Sequence, residues 1–255
     1  MNRPAFISLA ILVFGATLPA QTDLATAGPP GVDPVAGGQA LAEKLRSSAP
    51  AEDAEFSGML NIRRRDGQSS AIPVTCKITT GQPSWQVVYE TRNAGGTAAE
   101  KLVIVHKAGQ PNEYLHARAA AGEAPGPPAR LGPEQIATPL AGSDFWLMDL
   151  GLEFFHWPRQ RIVKTEMRKS RSCDVLESIN PHPAPRGYAR VVSWLDKETG
   201  GPIMAEAYDQ QNKLVKEFSL GKVGKVDGQW QLKKMEIRDV KSNSRTTLEF
   251  DLDKK

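Results

Sequence analysis

The first regular pattern in the chain is a pair of apolar residues at helical spacing. Leu41 and Leu45 lie one helical turn apart, so both face the same side of a helix. Asp33 precedes Pro34, and these residue types are favoured as the cap and the first residue of a helix. The pattern therefore predicts a helix that begins at Pro34 and ends near Ser48.

From Ala54 the hydrophobic period changes to two, which is typical of antiparallel strands with one buried face. Apolar and polar residues alternate from Ala54 to Ile62, and Asp66-Gly67 predicts a hairpin turn behind them. Further strands are predicted at 72–78, 85–89, 101–107, 113–118, 160–169, 172–179, 187–196, 202–208, 213–224, 229–239 and 245–252. About a dozen strands in succession predict one meandering antiparallel sheet, which must curl or split to hide one face. The predicted fold class is mainly β with a few helices.

One intensely apolar segment, Phe145 to Trp157, interrupts the meander. Nine of its 13 residues are large and apolar, and it contains five of the 17 aromatic residues of the chain. As a single helix it would place Asp149, Glu153 and His156 on one stripe and leave roughly 260° of its surface apolar. An ordinary surface helix buries an apolar stripe of about 100° or more. We therefore expect that one sheet face cannot cover this segment.

The sequence is compatible with three ways of covering this apolar surface: by other core elements, by a hydrophobic ligand, or by a partner protein. With a ligand as the cover, the segment would line a cavity for lipid or acyl chains, because exposing two such aromatics to water costs about 3–6 kcal/mol. On this hypothesis the cargo-binding residues of the segment are Phe145, Trp146, Leu150, Phe154, Phe155 and Trp157. Arg64 continues the inward row of the first strand, which predicts a place at the mouth of the same cavity.

Several spaced motifs in the chain resemble those of one family. They are Phe56-Ser-Gly-x-Leu-x-Ile-x-Arg, Trp85, Gly142-Ser-Asp-Phe, Cys173-Asp-Val-Leu-Glu, Val192-Ser-Trp-Leu-Asp, Tyr208 to Lys216, Trp230 with Met235-Glu-Ile, and Thr246-Thr-Leu. Together they resemble the outer-membrane lipoprotein-sorting protein family, within the LolA/LolB-like superfamily, over residues 54–253. None of these motifs is a catalytic signature.

The resemblance implies a strongly curved, incompletely closed antiparallel sheet, a half-barrel, wrapped over a few helices. It also implies an apolar hollow that shields the acyl chains of lipoproteins in the periplasm, and thus a non-catalytic carrier or chaperone that sorts them towards the outer membrane. Phe56 and Trp85 are the two early positions that match the family, and they join the expected cargo-binding residues. The alternative is an envelope interaction module that docks on an inner-membrane transporter or another partner protein.

The N-terminus predicts an exported protein. Residues 1–20 combine a positive start, an apolar run from Ala5 to Ala16 and a small residue at Ala20, which is typical of a cleaved signal peptide. Residues 21–33 are predicted to be a flexible linker, and residues 34–255 a single LolA/LolB-like half-barrel domain. We expect the mature protein to be periplasmic and monomeric.

Charge and motifs disfavour other classes of function. The net charge of +3 is too small to predict nucleic-acid binding. The chain has neither a Gly-x-Ser-x-Gly elbow nor a Gly-rich phosphate loop, so we predict no enzymatic activity and no cofactor. Two Glu-x-x-His spacings, at Glu113 and Glu153, match those of di-iron bundles. A strand-dominated chain does not supply the four helices of such a bundle, so no metal site is predicted.

The sequence leaves two alternatives open for each of two further sets of residues. Cys76 and Cys173 lie in apolar strand rows and form either a disulfide, which an oxidising compartment permits, or two buried thiols. The basic runs at 63–65, 159–161 and 168–171 are either solvated strand faces or a landing surface for anionic lipid headgroups or an acidic partner.

Overall fold

The computed structural model describes residues 33–120, 123–226 and 229–251. The predicted signal peptide, and the predicted linker as far as residue 32, lie outside the described residues. The helices are α1 (Pro34–Arg46) and α2 (Leu147–Leu150), with 3₁₀ turns at Leu140–Gly142 and Glu153–His156. The strands are β1 (Ala54–Arg63), β2 (Ser69–Thr79), β3 (Ser84–Arg92), β4 (Ala98–Lys107), β5 (Glu113–Arg118), β6 (Ala129–Arg130), β7 (Arg159–Arg168), β8 (Arg171–Ile179), β9 (Arg190–Asp196), β10 (Pro202–Tyr208), β11 (Leu214–Val226), β12 (Gln229–Asp239) and β13 (Ser244–Phe250).

The thirteen strands found in the described residues form one antiparallel sheet. Their order is β6-β5-β4-β3-β2-β1-β13-β12-β11-β10-β9-β8-β7, because β1 pairs with β13. Strands that follow each other in the chain are neighbours in the sheet, with the exception of β6 and β7, which lie at its two edges. The sheet therefore remains unclosed, and the predicted curved half-barrel with a few helices is confirmed.

The predicted alternation along β1 is confirmed. Ala54, Phe56, Leu60 and Ile62 are buried, whereas Arg63 at the end of the strand is exposed. A buried residue at every second position is what a strand with one face on a core requires. The inward face of β1 is thus apolar along the strand.

Residues 131–158, here called the crossing segment, connect the two edge strands. Apolar side chains of this segment share one buried cluster with inward-facing residues of both halves of the sheet. On the segment they are Ile136, Leu140, Phe145, Leu147, Met148, Phe154, Phe155 and Trp157. The main core therefore lies between the crossing segment and the concave face of the sheet.

Helix α1 has the predicted start and lies against the edge strand β7. The Asp33 carboxylate accepts a hydrogen bond from the Val35 backbone N–H at 2.9 Å, and Pro34 is the first helical residue. Gly38 lies so close to the Arg161 backbone that a Cβ there would collide with it. The absence of a side chain at Gly38 thus lets the helix approach the strand directly.

Candidate functional site

The predicted single helix at 145–157 is wrong, because the segment consists of two short helical turns. Helix α2 ends before Gly151, Leu152 has a left-handed backbone with φ of 50°, and a 3₁₀ turn begins at Glu153. A Cβ at Gly151 would collide with the hydroxyl of Tyr114 on β5. The segment therefore changes direction at the position where it meets the sheet most closely.

This break also overturns the expectation that the sheet cannot cover the segment. Phe145, Phe154, Phe155 and Trp157 are buried, while Trp146 and Leu150 are half-buried. Because the two turns point their apolar residues in different directions, both halves of the curved sheet contribute to the cover. Of the three covers left open by the sequence, core elements supply nearly all of it.

Little free space remains beside the buried aromatics. A pocket with a volume of about 20 Å³ lies between the crossing segment and strands β9 to β12, next to Leu152 and Phe154. A space of this size holds about one water molecule. In this conformation the apolar hollow is closed, and an acyl chain enters it only if the crossing segment moves.

The expected polar stripe of Asp149, Glu153 and His156 does not form. Asp149 faces strands β9–β11, where its Oδ2 accepts a hydrogen bond from the hydroxyl of Tyr188 at 3.2 Å. Glu153 faces the opposite half of the sheet, where its Oε2 accepts a hydrogen bond from the hydroxyl of Tyr114 at 3.0 Å. The break at Gly151 sends the two carboxylates to different walls of the half-barrel.

The buried side chain of Lys216, on strand β11, contacts the crossing segment from the side of the sheet. The Lys216 ammonium donates to the carbonyl oxygen of Asp144 at 2.5 Å and lies 3.8 Å from Asp149 Oδ2. It is also 3.9 Å from the ring centre of Trp146, which stacks on Tyr188 at 4.6 Å. Burial lowers the pKa of Lys216 to about 8, against the opposing effect of Asp149 and other nearby carboxylates.

Polar contacts hold the first half of the crossing segment to β1 and β13. The Asp144 carboxylate accepts hydrogen bonds from the hydroxyls of Ser244 and Thr246, the latter at 2.8 Å. Arg64 donates to the carbonyl oxygen of Gly142 at 3.3 Å. Arg64 is exposed and lies at the mouth, as its position in the inward row predicts.

Two clefts open beside the crossing segment. The first has a volume of about 610 Å³, and Arg64, Trp146 and Lys216 are among its lining residues. The second has a volume of about 600 Å³ and lies between α1 and the far end of the segment, where His156 and Trp157 line it. The predicted cargo-binding residues are therefore divided between a closed apolar core and the two clefts at its ends.

The remaining predicted cargo residues belong to the first half of the sheet. Phe56 is buried and packs on Phe250, with ring centres 6.0 Å apart. Trp85 is half-buried and stacks on His106 across the β3–β4 pair at 3.8 Å. Both side chains pack into or against the main core, and neither lines a cleft.

The two cysteines are free, so the disulfide considered from the sequence is not formed. Cys76 belongs to the main core on the inward face of β2. Cys173 belongs to a separate cluster with Val175 and Trp194, on the face of β8 opposite to the inward-facing Leu176. The sheet itself therefore separates the two thiols.

Sequence reasoning missed Lys216 and Tyr188. Lys216 occupies an inward position of β11, with apolar residues at the neighbouring inward positions. This alternation predicts a buried position, but a lysine is normally expected on the surface. Its carboxylate partner Asp149 belongs to a distant part of the chain, so no spacing in the sequence connects the two. Within the described residues, no three His, Cys, Asp or Glu side chains are grouped to hold a metal ion.

The buried Glu153 gives the first testable prediction. Burial raises the pKa of Glu153 to about 7, although hydrogen bonds from Tyr114 and Asn112 act against it. The pKa of this carboxyl is higher in the folded than in the unfolded protein, so its protonation stabilises the fold. This stabilisation is complete at a pH below the pKa of the unfolded protein, and it is lost as the pH rises through 7. Relative to a Glu153→Gln variant, the wild type should therefore lose about 1–3 kcal/mol of unfolding free energy between pH 5 and pH 8.

Urea unfolding at four pH values from 5 to 8 measures this difference. Glu134→Gln is the matched control, because Glu134 is an exposed glutamate of the same crossing segment. A wild-type curve that runs parallel to the Glu153→Gln curve across this pH range would contradict the prediction.

The fold and the crossing segment define a half-barrel of the LolA type, and comparison with solved structures agrees. A DUF1329 family protein from Desulfovibrio piger superposes with a TM-score of 0.71 at 18% identity, covering 87% of this chain and 92% of that chain. A Vibrio parahaemolyticus domain named for outer membrane lipoprotein sorting gives 0.69 at 18% identity, covering 86% and 94%. A LolA superfamily protein from Nitrosomonas europaea gives 0.58 at 15% identity, covering 86% and 92%. The predicted resemblance is confirmed at the level of the fold.

A family profile described as "Uncharacterized protein" matches residues 125–253, and the chain belongs to that family. The match covers about half of the chain and includes the whole crossing segment as well as strands β6 to β13. No curated protein sequence matches the chain. No helix among the described residues has the length and apolar character needed to cross a membrane.

Proposed function

We propose that this protein is a periplasmic carrier or chaperone that shields the acyl chains of lipoproteins, or similar apolar cargo, without catalysing a reaction. The cargo would occupy the space between the crossing segment and the concave face of the sheet. The predicted signal peptide at residues 1–20 would direct export and would be removed from the mature protein. The likeness of the fold to that of a domain named for lipoprotein sorting supports this assignment.

The crossing segment is the observation that carries the proposal. It contributes eight buried apolar side chains to the core that it shares with the sheet, and it joins two strands that are not paired with each other. An unclosed sheet can spread at its free edges without breaking strand pairs. Displacement of the segment would thus expose a continuous apolar surface suited to an acyl chain, with about 0.8 kcal/mol gained per buried methylene.

The hydrogen bonds at the mouth are suited to a reversible lid. Arg64 and Asp144 hold the first half of the segment through the Gly142 carbonyl and the hydroxyls of Ser244 and Thr246. A net hydrogen bond is worth only about 0.5–1.5 kcal/mol. Acyl-chain burial would have to offset the loss of these bonds and of the contacts that Lys216 makes with Asp144 and Asp149.

Binding of a dansylated eleven-carbon fatty acid in solution tests the proposal. Phe154→Asp places a charge in the apolar layer and should weaken binding at least tenfold, because an unpaired carboxylate is costly in an apolar site. Val163→Asp is the control, since Val163 is 37% exposed on the edge strand β7. Equal affinities of the two variants would overturn the proposal.

A second variant covers the case in which Phe154→Asp does not fold. Leu152→Asn removes apolar surface from the same pocket at a position with φ of 50°, a backbone conformation that asparagine tolerates well. It should keep the stability of the fold and still weaken fatty-acid binding. Lipid extraction of protein purified from the periplasm gives an independent readout, because a carrier retains part of its cargo.

The alternative function, an envelope interaction module, is favoured by a different observation. The edge strand β7 exposes Val163 and Met167, the latter with 66% of its surface accessible. The same strand has an irregular register between Ile162 and Lys164 and carries several charged side chains, which are features that protect edges from pairing. Native mass spectrometry distinguishes the two functions, since a module would retain a stoichiometric protein partner instead of lipid.

A further inference from the structure

Five arginines converge at the rim of the half-barrel, beside the first cleft. We call Arg63, Arg64, Arg65, Arg238 and Arg245 the arginine cluster. Together with Asn243 and Ser244 they line a separate depression of about 220 Å³. Two of them, Arg64 and Arg65, also line the 610 Å³ cleft that contains Trp146. The cluster therefore borders the opening next to the crossing segment.

Strand register, and not chance exposure, aligns three of these arginines. Arg63 on β1 is paired directly with Arg245 on β13, which is paired in turn with Arg238 on β12. Each follows or precedes a buried inward residue, so all three side chains lie on the outer face of the sheet. Like charges placed opposite each other across strands are unfavourable. A row of three adjacent cations is thus an arrangement that an anionic ligand would relieve.

The carboxylates of the protein neutralise this cluster only in part. Arg238 has an ion pair with Glu217 at 3.3 Å, and Arg245 has one with Glu236 at 3.4 Å. In the described part of the chain, Arg63, Arg64 and Arg65 have no carboxylate within 4 Å. Asp66, in the same turn, accepts a hydrogen bond from the backbone N–H of Gln68.

The other two basic runs of the sequence differ in this respect. In the run at 159–161, Arg161 is paired with Glu177 at 2.5 Å. In the run at 168–171, Arg171 is paired with Asp196 at 2.6 Å, and Arg168 lies 5.1 Å from the ring centre of Trp194. In each of these runs at least one arginine is paired with a carboxylate of a neighbouring strand, as on a solvated strand face. In the arginine cluster three consecutive arginines, Arg63 to Arg65, have no such partner among the described residues.

We propose that the arginine cluster binds the phosphate groups of anionic phospholipid headgroups and so docks the mouth of the half-barrel on a membrane surface. Planar guanidinium groups bind phosphate oxygens in pairs, which suits a cluster of arginines better than one of lysines. The cluster borders the cleft with the half-buried Trp146, an aromatic residue of the type enriched at membrane interfaces. This orientation rests on the proposed carrier function, because a carrier must bring its opening to the membrane that supplies or receives the cargo.

Co-sedimentation with vesicles tests the proposal on the full mature chain. The vesicles contain phosphatidylcholine alone or with 30% phosphatidylglycerol (about one lipid in three anionic). The test variant is Arg63→Gln/Arg65→Gln/Arg245→Gln, which leaves the Arg64 contact with Gly142 intact. The control variant, Arg130→Gln/Arg159→Gln/Arg186→Gln, removes the same charge from exposed arginines outside the cluster.

The wild type should bind the anionic vesicles and not the neutral ones, and binding should weaken as salt is raised. A basic residue close to an anionic surface contributes about a fivefold increase in binding, so the test variant should lose at least tenfold. The control variant should lose less than threefold. Equal losses in the two variants would show that net charge alone attracts the protein, which would overturn the proposal.

Two further measurements separate this inference from its alternatives. If inorganic phosphate at constant ionic strength binds the wild type while anionic vesicles do not, the cluster is a site for free phosphate and the membrane proposal fails. The dansylated fatty acid, measured in solution, should bind the test variant as it binds the wild type. Loss of vesicle binding with unchanged fatty-acid binding supports docking, whereas normal docking without fatty-acid binding would contradict only the carrier function.

Discussion

Replacement of Lys216 by methionine should lower the free energy of unfolding by about 3–5 kcal/mol at pH 7. Methionine fills a similar volume, so packing against Trp146 is largely kept. The loss comes from Asp149, which then lies buried without the cation 3.8 Å away, and from the Asp144 carbonyl, which loses its donor at 2.5 Å. Removal of one partner of a buried pair costs more than the pair itself is worth, because an uncompensated charge remains.

Urea unfolding of the single and double variants tests this interpretation. In Lys216→Met/Asp149→Asn the buried charge is gone, while the asparagine side-chain oxygen still accepts hydrogen bonds from the backbone N–H of Trp146 and from the hydroxyl of Tyr188. The double variant should recover at least half of the lost stability. If Lys216→Met is as stable as the wild type, the pair does not hold the crossing segment and the interpretation is wrong.

Phe145→Ala should destabilise the protein by about 3–5 kcal/mol, the range for truncation of a buried phenylalanine. Phe145 is 1% exposed and belongs to the crossing segment close to its polar anchor at Asp144. Phe218→Ala is the matched control on the sheet, because Phe218 packs against the same core but is only partly buried. We expect the control to cost about 1–2 kcal/mol.

This comparison also bears on how cargo would enter. A loss of several kcal/mol for Phe145→Ala, with one cooperative transition, means that the crossing segment unfolds together with the sheet. Cargo uptake would then need the energy of acyl burial to displace the segment. If Phe145→Ala costs no more than Phe218→Ala, the segment is held loosely and opens without cargo. Hydrogen exchange of residues 131–158 with and without fatty acid measures the same property directly.

The strands were predictable because their signal is local. Alternation of apolar and polar residues predicts the strands within a few residues, and β5 and β10 coincide with the predicted ranges. Helix α1 was equally accessible, since Asp33 and Pro34 specify its start through contacts within the first turn. The spread of family motifs predicted the half-barrel, which the solved relatives share.

The crossing segment was predicted less well because its conformation depends on distant residues. Its composition indicates burial, but the helix breaks at the left-handed backbone of Leu152, next to the close approach of Gly151 to Tyr114, 37 residues earlier in the chain. The same break separates Asp149 from Glu153, which the helical spacing had placed on one stripe. No local pattern contains this information.

The sequence by itself determined the class of fold, the position of every major strand and the presence of one exceptionally apolar segment, since these depend on the period and composition of neighbouring residues. Only the tertiary structure decided how that segment is covered, where Lys216 and the cysteines lie, and which basic run keeps free donors. The physical reason is that burial, ion pairing and cross-strand alignment arise between residues far apart in the chain. Arg63 and Arg245 illustrate this, because they lie on the first and the last strand of the chain and yet are paired on adjacent strands of the sheet.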